Sequence, residues 1–204
     1  MKRFRFSIGL LFCVGLFISG AVLAQGGSGV HFGLSGGADF PIEDQKDAYK
    51  TGWNGTALLA INFGTSPLGL RVDGSYHELK TKDNLVAFVG SGKTRVISGT
   101  ADLVIGPRGW SAEPYFIGGV GAYDLRFHGQ EVDTGNVFSE TSTRFGWNAG
   151  GGLAFPLGET SGGSRFFIEA RYTSVSTNGD RFSNSVRQGG SRFTFVPVNA
   201  GIIF

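Results

Sequence analysis

The sequence predicts an all-β fold, an eight-stranded antiparallel up-and-down barrel that crosses a membrane with its strands. Three observations predict it: a period-two alternation recurring in eight segments, one face of each segment free of charge, and connections that alternate between short and long.

The strands follow in chain order. Strand 1, at 30 to 40, puts Phe32, Leu34, Gly36, Ala38 and Phe40 on one face, and strand 2, at 52 to 63, puts Trp53, Gly55, Ala57, Leu59, Ile61 and Phe63 there. Strand 3, at 68 to 77, gives Leu70, Val72, Gly74 and Tyr76, and strand 4, at 95 to 105, gives Ile97, Gly99, Ala101, Leu103 and Ile105. Strand 5, at 115 to 127, is read with Tyr115, Ile117, Gly119, Gly121, Tyr123, Leu125 and Phe127 on that face. Strand 6, at 145 to 155, gives Trp147, Ala149, Gly151, Leu153 and Phe155. Strand 7, at 165 to 172, gives Phe166, Ile168, Ala170 and Tyr172, and strand 8, at 193 to 204, gives Val198, Ala200, Ile202 and Phe204. The opposite face holds Asp39, Asn54, Asn62, Arg71, Asp73, Ser75, Asp102, Asp124, Arg126, Asn148, Glu169, Arg171 and Asn199. Helical periodicity is absent.

Alternation alone does not say which face points inward, and a soluble barrel would bury the apolar one. Aromatic residues at the ends of the apolar face, such as Phe32 and Phe40, Trp53 and Phe63, Tyr115 and Phe127, Trp147 and Phe155, instead suit rings at two membrane interfaces. Connections 64–69, 106–114 and 156–164 are short, whereas 41–51, 78–94, 128–144 and 173–192 are long. Short periplasmic turns alternating with long external loops fit a barrel with its apolar face in lipid.

Composition and the amino terminus point to export. The 204 residues suit one domain, and 17% charged residues is lean beside the roughly 25% of soluble proteins. Lys2, Arg3 and Arg5, an apolar run from Phe6 to Leu23 and Ala24 before Gln25 read as a secretory signal over 1–24, leaving a barrel over 25–204; an uncleaved anchor is the alternative. Without those three basic residues, 18 basic and 16 acidic residues become 15 and 16, so the mature chain is near neutral and carries no basic stripe for nucleic acid. Cys13, the one cysteine, lies inside the signal. No later stretch reaches the roughly 20 apolar residues of a transmembrane helix.

The chain ends Phe-Val-Pro-Val-Asn-Ala-Gly-Ile-Ile-Phe, residues 195–204. Its terminal Phe204, with Ile202, Ala200 and Val198 on one face, resembles the assembly signal of outer-membrane barrels. Segments Phe-Gly-Trp-Asn-Ala-Gly-Gly-Gly-Leu-Ala-Phe-Pro-Leu (145–157) and Phe-Phe-Ile-Glu-Ala-Arg-Tyr (166–172) look like the last strands of the small outer membrane protein β-barrel family, the OmpA/OmpX type. The resemblance implies residence in a Gram-negative outer membrane, contact with its lipids and lipopolysaccharide, and insertion by the barrel-assembly machinery through the strand ending in Phe204.

Little chemistry is expected. His31, His77 and His128 show no metal-ligand spacing, the glycine clusters precede no helix that could hold a phosphate, and no cofactor is expected. His77 and His128 are read as lumen residues near the outer rim. Arg71 and Asp102 are expected to pair, with Arg171, Arg126, Asp39, Asp124 and Glu169 in a second network. Eight strands leave an interior filled by side chains, so a pore is not expected. The lipid face lacks Ser, His, Asp and Glu, which weighs against a lipopolysaccharide-modifying enzyme and leaves no catalytic residues to assign. A structural or surface-interaction role through four long loops is the preferred function, and a carrier for small hydrophobic molecules the alternative. The apolar run Leu85 to Val89 is read as a hairpin extension or a partner contact.

Overall fold

The computed structural model describes residues 28–64, 66–82, 93–130, 137–158, 163–177 and 192–204. Eight strands close an up-and-down barrel: β1 Ser28–Pro41, β2 Gly52–Phe63, β3 Leu68–Lys80, β4 Lys93–Ile105, β5 Glu113–Gln130, β6 Val137–Pro156, β7 Arg165–Ser176 and β8 Arg192–Ile203. Each neighbour is antiparallel, and β1 meets β8 from Gly33↔Ile203 to Pro41↔Phe195. Closure leaves no edge within the barrel, as backbone groups in hydrocarbon require. At that seam a side chain on Gly37 would strike the Val198 carbonyl. The expected signal (1–24), Gln25 and the run Leu85 to Val89 lie outside the described residues.

The apolar face points outward. Phe32, Leu34, Trp53, Leu70, Val72, Leu103, Trp147 and Ile168 are exposed, and Asp39, Asn54, Arg71, Asp73, Asp102, Asn148, Glu169, Arg171 and Asn199 are buried. Rings meet in pairs near both ends of the outer wall: Trp53 and Tyr76 at 5.4 Å, Trp147 and Tyr172 at 5.3 Å, and Phe155 and Phe166 at 6.3 Å between centroids. These are the two interface girdles.

The face of β5 is the reverse of that expected. Phe116 is 77% and Val120 55% exposed, whereas Ile117, Tyr123 and Leu125 are 2 to 5% exposed. Tyr115 therefore does not belong to a girdle; its hydroxyl points into the lumen. Both faces of this strand are apolar at membrane depth, so alternation could not choose between them. Asp124 and Arg126 suggested the wrong choice because they stand beyond the apolar band, where the outward face is wet, and pair with each other at 2.8 Å. The physical reason for the true register is room: a Cβ at Gly119 would collide with the Ala101 carbonyl and the Asp102 carboxylate.

The third long connection also differs. Much of the stretch read as loop, 128–144, is strand, and the β5–β6 ladder runs out to Gln130↔Val137. Hydroxyl residues such as Ser139, Thr141 and Thr143 continue the ladder without the apolar alternation that marks strands in lipid. The first long connection contains one helical turn, α1 Gln45–Ala48.

Candidate functional site

The lumen concentrates the polar residues, and period-two geometry explains how. Arg71 and Asp73 on β3, Thr100 and Asp102 on β4, and Glu169 and Arg171 on β7 are each two apart, so each pair shares the inward face. Arg171 Nη2 donates to Asp73 Oδ2 at 2.6 Å, its Nε to Glu169 Oε1 at 2.6 Å and its Nη1 to Asp102 Oδ2 at 3.2 Å. Arg71 donates from Nε to Asp73 Oδ1 and from Nη1 to Glu169 Oε2, both at 2.8 Å. Its guanidinium also lies 5.3 Å from the Phe167 ring centroid. Tyr115 also donates to Glu169 Oε2 at 2.8 Å and Thr100 to Asp102 Oδ2 at 2.7 Å, and Asn148 Nδ2 reaches the other Asp102 oxygen, Oδ1, at 2.8 Å.

This arrangement corrects the expected pairing. Arg71 and Asp102 are directly opposed on β3 and β4, yet Arg71 reaches Glu169 across the lumen instead, and Asp102 is held by Arg171. There is one network of two guanidinium groups and three carboxylates. Asp124 and Arg126 are outside it, on the outer wall, and Asp39 forms a separate pair with His77. His77 Nδ1 lies 3.0 Å from Asp39 Oδ2, and Asn54 Nδ2 donates to Asp39 Oδ1 at 2.8 Å. The His77 ring meets the Phe195 ring edge-on at 5.1 Å. The side chain of His128 lies outside the described residues. His31 is at the far end of the barrel, with Nδ1 3.1 Å from the Phe204 main-chain oxygen.

Above His77 the lumen turns apolar. Leu79, Val96, Tyr123, Leu125, Val175, Phe193 and Phe195 pack together with Tyr49, which the first loop sends inward. The Thr94 hydroxyl donates to the Tyr49 hydroxyl at 3.2 Å. Burial pushes the Tyr49 phenol pKa up, and that hydrogen bond offsets part of the rise. The loop is fastened by Lys50 N–H to Lys80 carbonyl at 2.8 Å and Lys82 N–H to Ala48 carbonyl at 2.9 Å. Sequence reasoning missed Tyr49, although an isolated aromatic in an otherwise polar loop was a signal.

Two small cavities flank the ion network. One, of about 30 Å³, is lined by hydroxyl and amide groups including Thr56, Ser75, Ser98 and Asn199. The other, of about 70 Å³, opens at the opposite mouth beside Ala60, Val104, Ala154 and Ile203. The first has room for roughly two water molecules. Arg108 borders the second; burial and neighbouring Arg165 lower its guanidinium pKa, while Glu113 opposes them. The lumen, expected to be polar, is thus a compensated ionic layer with an apolar layer above it. The network links β3, β4, β5, β6 and β7 across the lumen.

A family model described as the outer membrane protein beta-barrel domain matches residues 10–197. No curated protein matches the chain. Among solved structures, Neisserial surface protein A is similar with a TM-score of 0.52 at 13% identity, over 87% of this chain and 97% of that one. The attachment invasion locus protein Ail of Yersinia pestis, solved in complex with the heparin analogue sucrose octasulfate, gives 0.52 at 16%, over 88% and 100%. A major outer membrane protein of Thermus thermophilus gives 0.53 at 13%, over 86% and 99%.

Proposed function

The chain belongs to the outer membrane protein β-barrel domain family, and from that premise we propose that it is a non-conducting, non-enzymatic barrel whose long-loop end faces outward and engages a partner at the cell surface. The β5–β6 ladder carries this reading. β5 has 18 residues and β6 has 20. At about 3.3 Å per residue and a tilt near 45°, either strand outruns an apolar band about 25 Å tall. The excess raises a hairpin clear of the membrane, where a rigid scaffold presents its tip.

The lumen supports the non-conducting part. Arg71 and Arg171 span it with six charge-assisted bonds to Asp73, Asp102 and Glu169, and the apolar layer around Phe193 and Phe195 lies across it. That layer is made of the chain's own side chains, which favours a structural barrel over a carrier of hydrophobic molecules. The chain reaches the membrane with its signal removed before Gln25, and the strand ending in Phe204 is its handle for the assembly machinery.

The test compares the refolded barrel with a variant whose four long loops are shortened. A sulfated oligosaccharide is the first probe, since Ail is solved with a heparin analogue. Loop-dependent binding supports the surface role, and equal binding by both forms assigns the barrel a structural one. Planar-bilayer recordings should show no stable conductance, and long-lived channels would contradict the closed lumen. An intact mass starting at Gln25 supports export; retention of 1–24 restores the anchor.

A further inference from the structure

The short-turn mouth of the barrel holds a pocket that the ionic layer leaves open. A second apolar cluster, Leu58, Ala60, Ala154 and Phe167 with Ile203 packed against it, lies toward this end of the lumen. Ala60, Ala154 and Ile203 floor the cavity of about 70 Å³. Its rim comes from the β2–β3 and β4–β5 connections, through Pro67 and Arg108, and from Arg165 at the start of β7. By the measure that gives the other cavity two waters, this one takes roughly four or five non-hydrogen atoms.

Three charged side chains stand at the rim, and their pairing is incomplete. Gly109 turns the chain with a left-handed backbone, φ 82°, and its N–H donates to Glu113 Oε1 at 2.6 Å. Arg165 Nε lies 3.6 Å from Glu113 Oε2, so both oxygens of that carboxylate are engaged. Arg108 is left over. Its Nη2 donates to the Leu68 carbonyl at 3.4 Å, its buried Nε has no hydrogen-bond partner, and no carboxylate among the described residues forms an ion pair with it. Arg71, which also borders the cavity, is already held by Asp73 and Glu169. Two cations, Arg108 and Arg165, against one carboxylate, Glu113, leave the rim with a single positive charge in excess. A guanidinium taken partly out of water without a carboxylate is an electrostatic cost that a bound anion relieves. The ionic layer beyond holds two guanidinium groups against three carboxylates, which disfavours a second negative charge nearby and suits a monoanion.

We propose that this pocket binds a monocarboxylate with a short aliphatic tail, its oxygens on Arg108 and Arg165 and its tail against Ala60, Ala154 and Ile203. The planar fork of a guanidinium matches the two oxygens of a carboxylate. An apolar floor with a few convergent polar groups is the usual make-up of a small-molecule site. The carboxylate uses three of the atoms that fit, which leaves room inside for about two carbons. The site rests on the fold and not on the surface role proposed above; with the long loops outward, its mouth opens on the opposite, periplasmic side.

The test is an NMR titration of the membrane-extracted protein with isotopically labelled propionate, compared with propionamide, formate and inorganic phosphate. Wild type should bind propionate saturably and prefer it about tenfold or more over propionamide, the scale of one hydrogen bond to a charged group. R108Q should lose a similar factor, E113Q should bind at least as tightly as wild type, and K46Q/R192Q, at the far end of the barrel, should change nothing. A merely loosened turn would weaken R108Q and E113Q together, so their opposite signs separate a binding site from a structural role. A154L, which fills the floor, should weaken propionate and leave formate unchanged. Heat-modifiable migration identifies folded protein in each case. Tighter binding of acetyl-alanyl-alanine than of propionate places the carboxylate at the end of a peptide, and the reverse order places it on a free acid; either upholds the site. Undiminished binding by R108Q, equal affinity for propionamide or phosphate, or a loss in E113Q as large as that in R108Q overturns it.

Discussion

Replacing Arg171 with Met tests whether the lumen is a compensated ionic layer. The change keeps much of the side-chain length and removes the charge from a site 7% exposed. Arg171 donates to Asp73, Glu169 and Asp102 at 2.6, 2.6 and 3.2 Å, so its loss leaves three carboxylates to Arg71 alone. Three bonds do not add, because the carboxylates keep other donors: Asn148 and Thr100 on Asp102, Tyr115 on Glu169. The cost is instead that of an uncompensated buried charge, about 3 to 5 kcal/mol. Urea titration of barrels refolded in lipid vesicles reads it as a lower midpoint at unchanged slope. A second variant, R171M/D102N, removes one stranded charge and should recover part of the loss, a coupling outside the additive range of independent sites. A cost below about 1 kcal/mol for R171M, with no recovery in the double variant, would refute the reasoning: the lumen would be hydrated enough to screen its charges.

Other outcomes follow from the same geometry. Ala57→Arg, on the lipid face near mid-membrane, should cost about 2 to 4 kcal/mol in vesicle titrations, whereas Thr56→Arg, one residue away in the lumen, incurs mainly a packing penalty of about 1 to 3 kcal/mol; a consistently more harmful lumen change, repeated in Leu58→Gln against Leu59→Gln, would invert the barrel wall. Deleting Phe204, whose N–H donates to the Phe32 carbonyl at 2.7 Å, should leave synthesis and export intact but sharply reduce the heat-modifiable form in the outer membrane. Tyr49 gives a pH dependence. Its folded pKa is raised above the ordinary 10.0, so the buried phenol's contribution is fully present below that value and is lost as pH rises through the folded pKa. Wild type should therefore lose more stability than Tyr49→Phe between about pH 9 and about pH 11, and parallel losses would show that Tyr49 is not buried as described.

Where the sequence is explicit, one of two faces is chemically impossible for lipid. On β3, Arg71 and Asp73 alternate with Leu70 and Val72, so only one register keeps ions from hydrocarbon. On β5 that contrast is missing at membrane depth: Phe116 and Val120 could face lipid, and so could Ile117 and Tyr123. The deciding contacts, Gly119 beneath Asp102 and Tyr115 against Glu169, come from β4 and β7 and have no trace in the strand itself. The ion pairing was equally out of reach, since Arg71 and Glu169 meet across the lumen rather than along a ladder.

The β5–β6 ladder bears on how the chain tolerates inserted sequence. Because pairing persists to Gln130↔Val137, the two ends of any segment grafted between them are already held at the spacing of neighbouring strands. Ring closure is then accomplished by the hairpin and not by the graft, and lengthening a closed segment costs only about 0.6 kcal/mol per doubling. Foreign epitopes spliced at this tip should leave barrel stability almost unchanged, which makes the protein a natural mast for displaying peptides on bacterial cells.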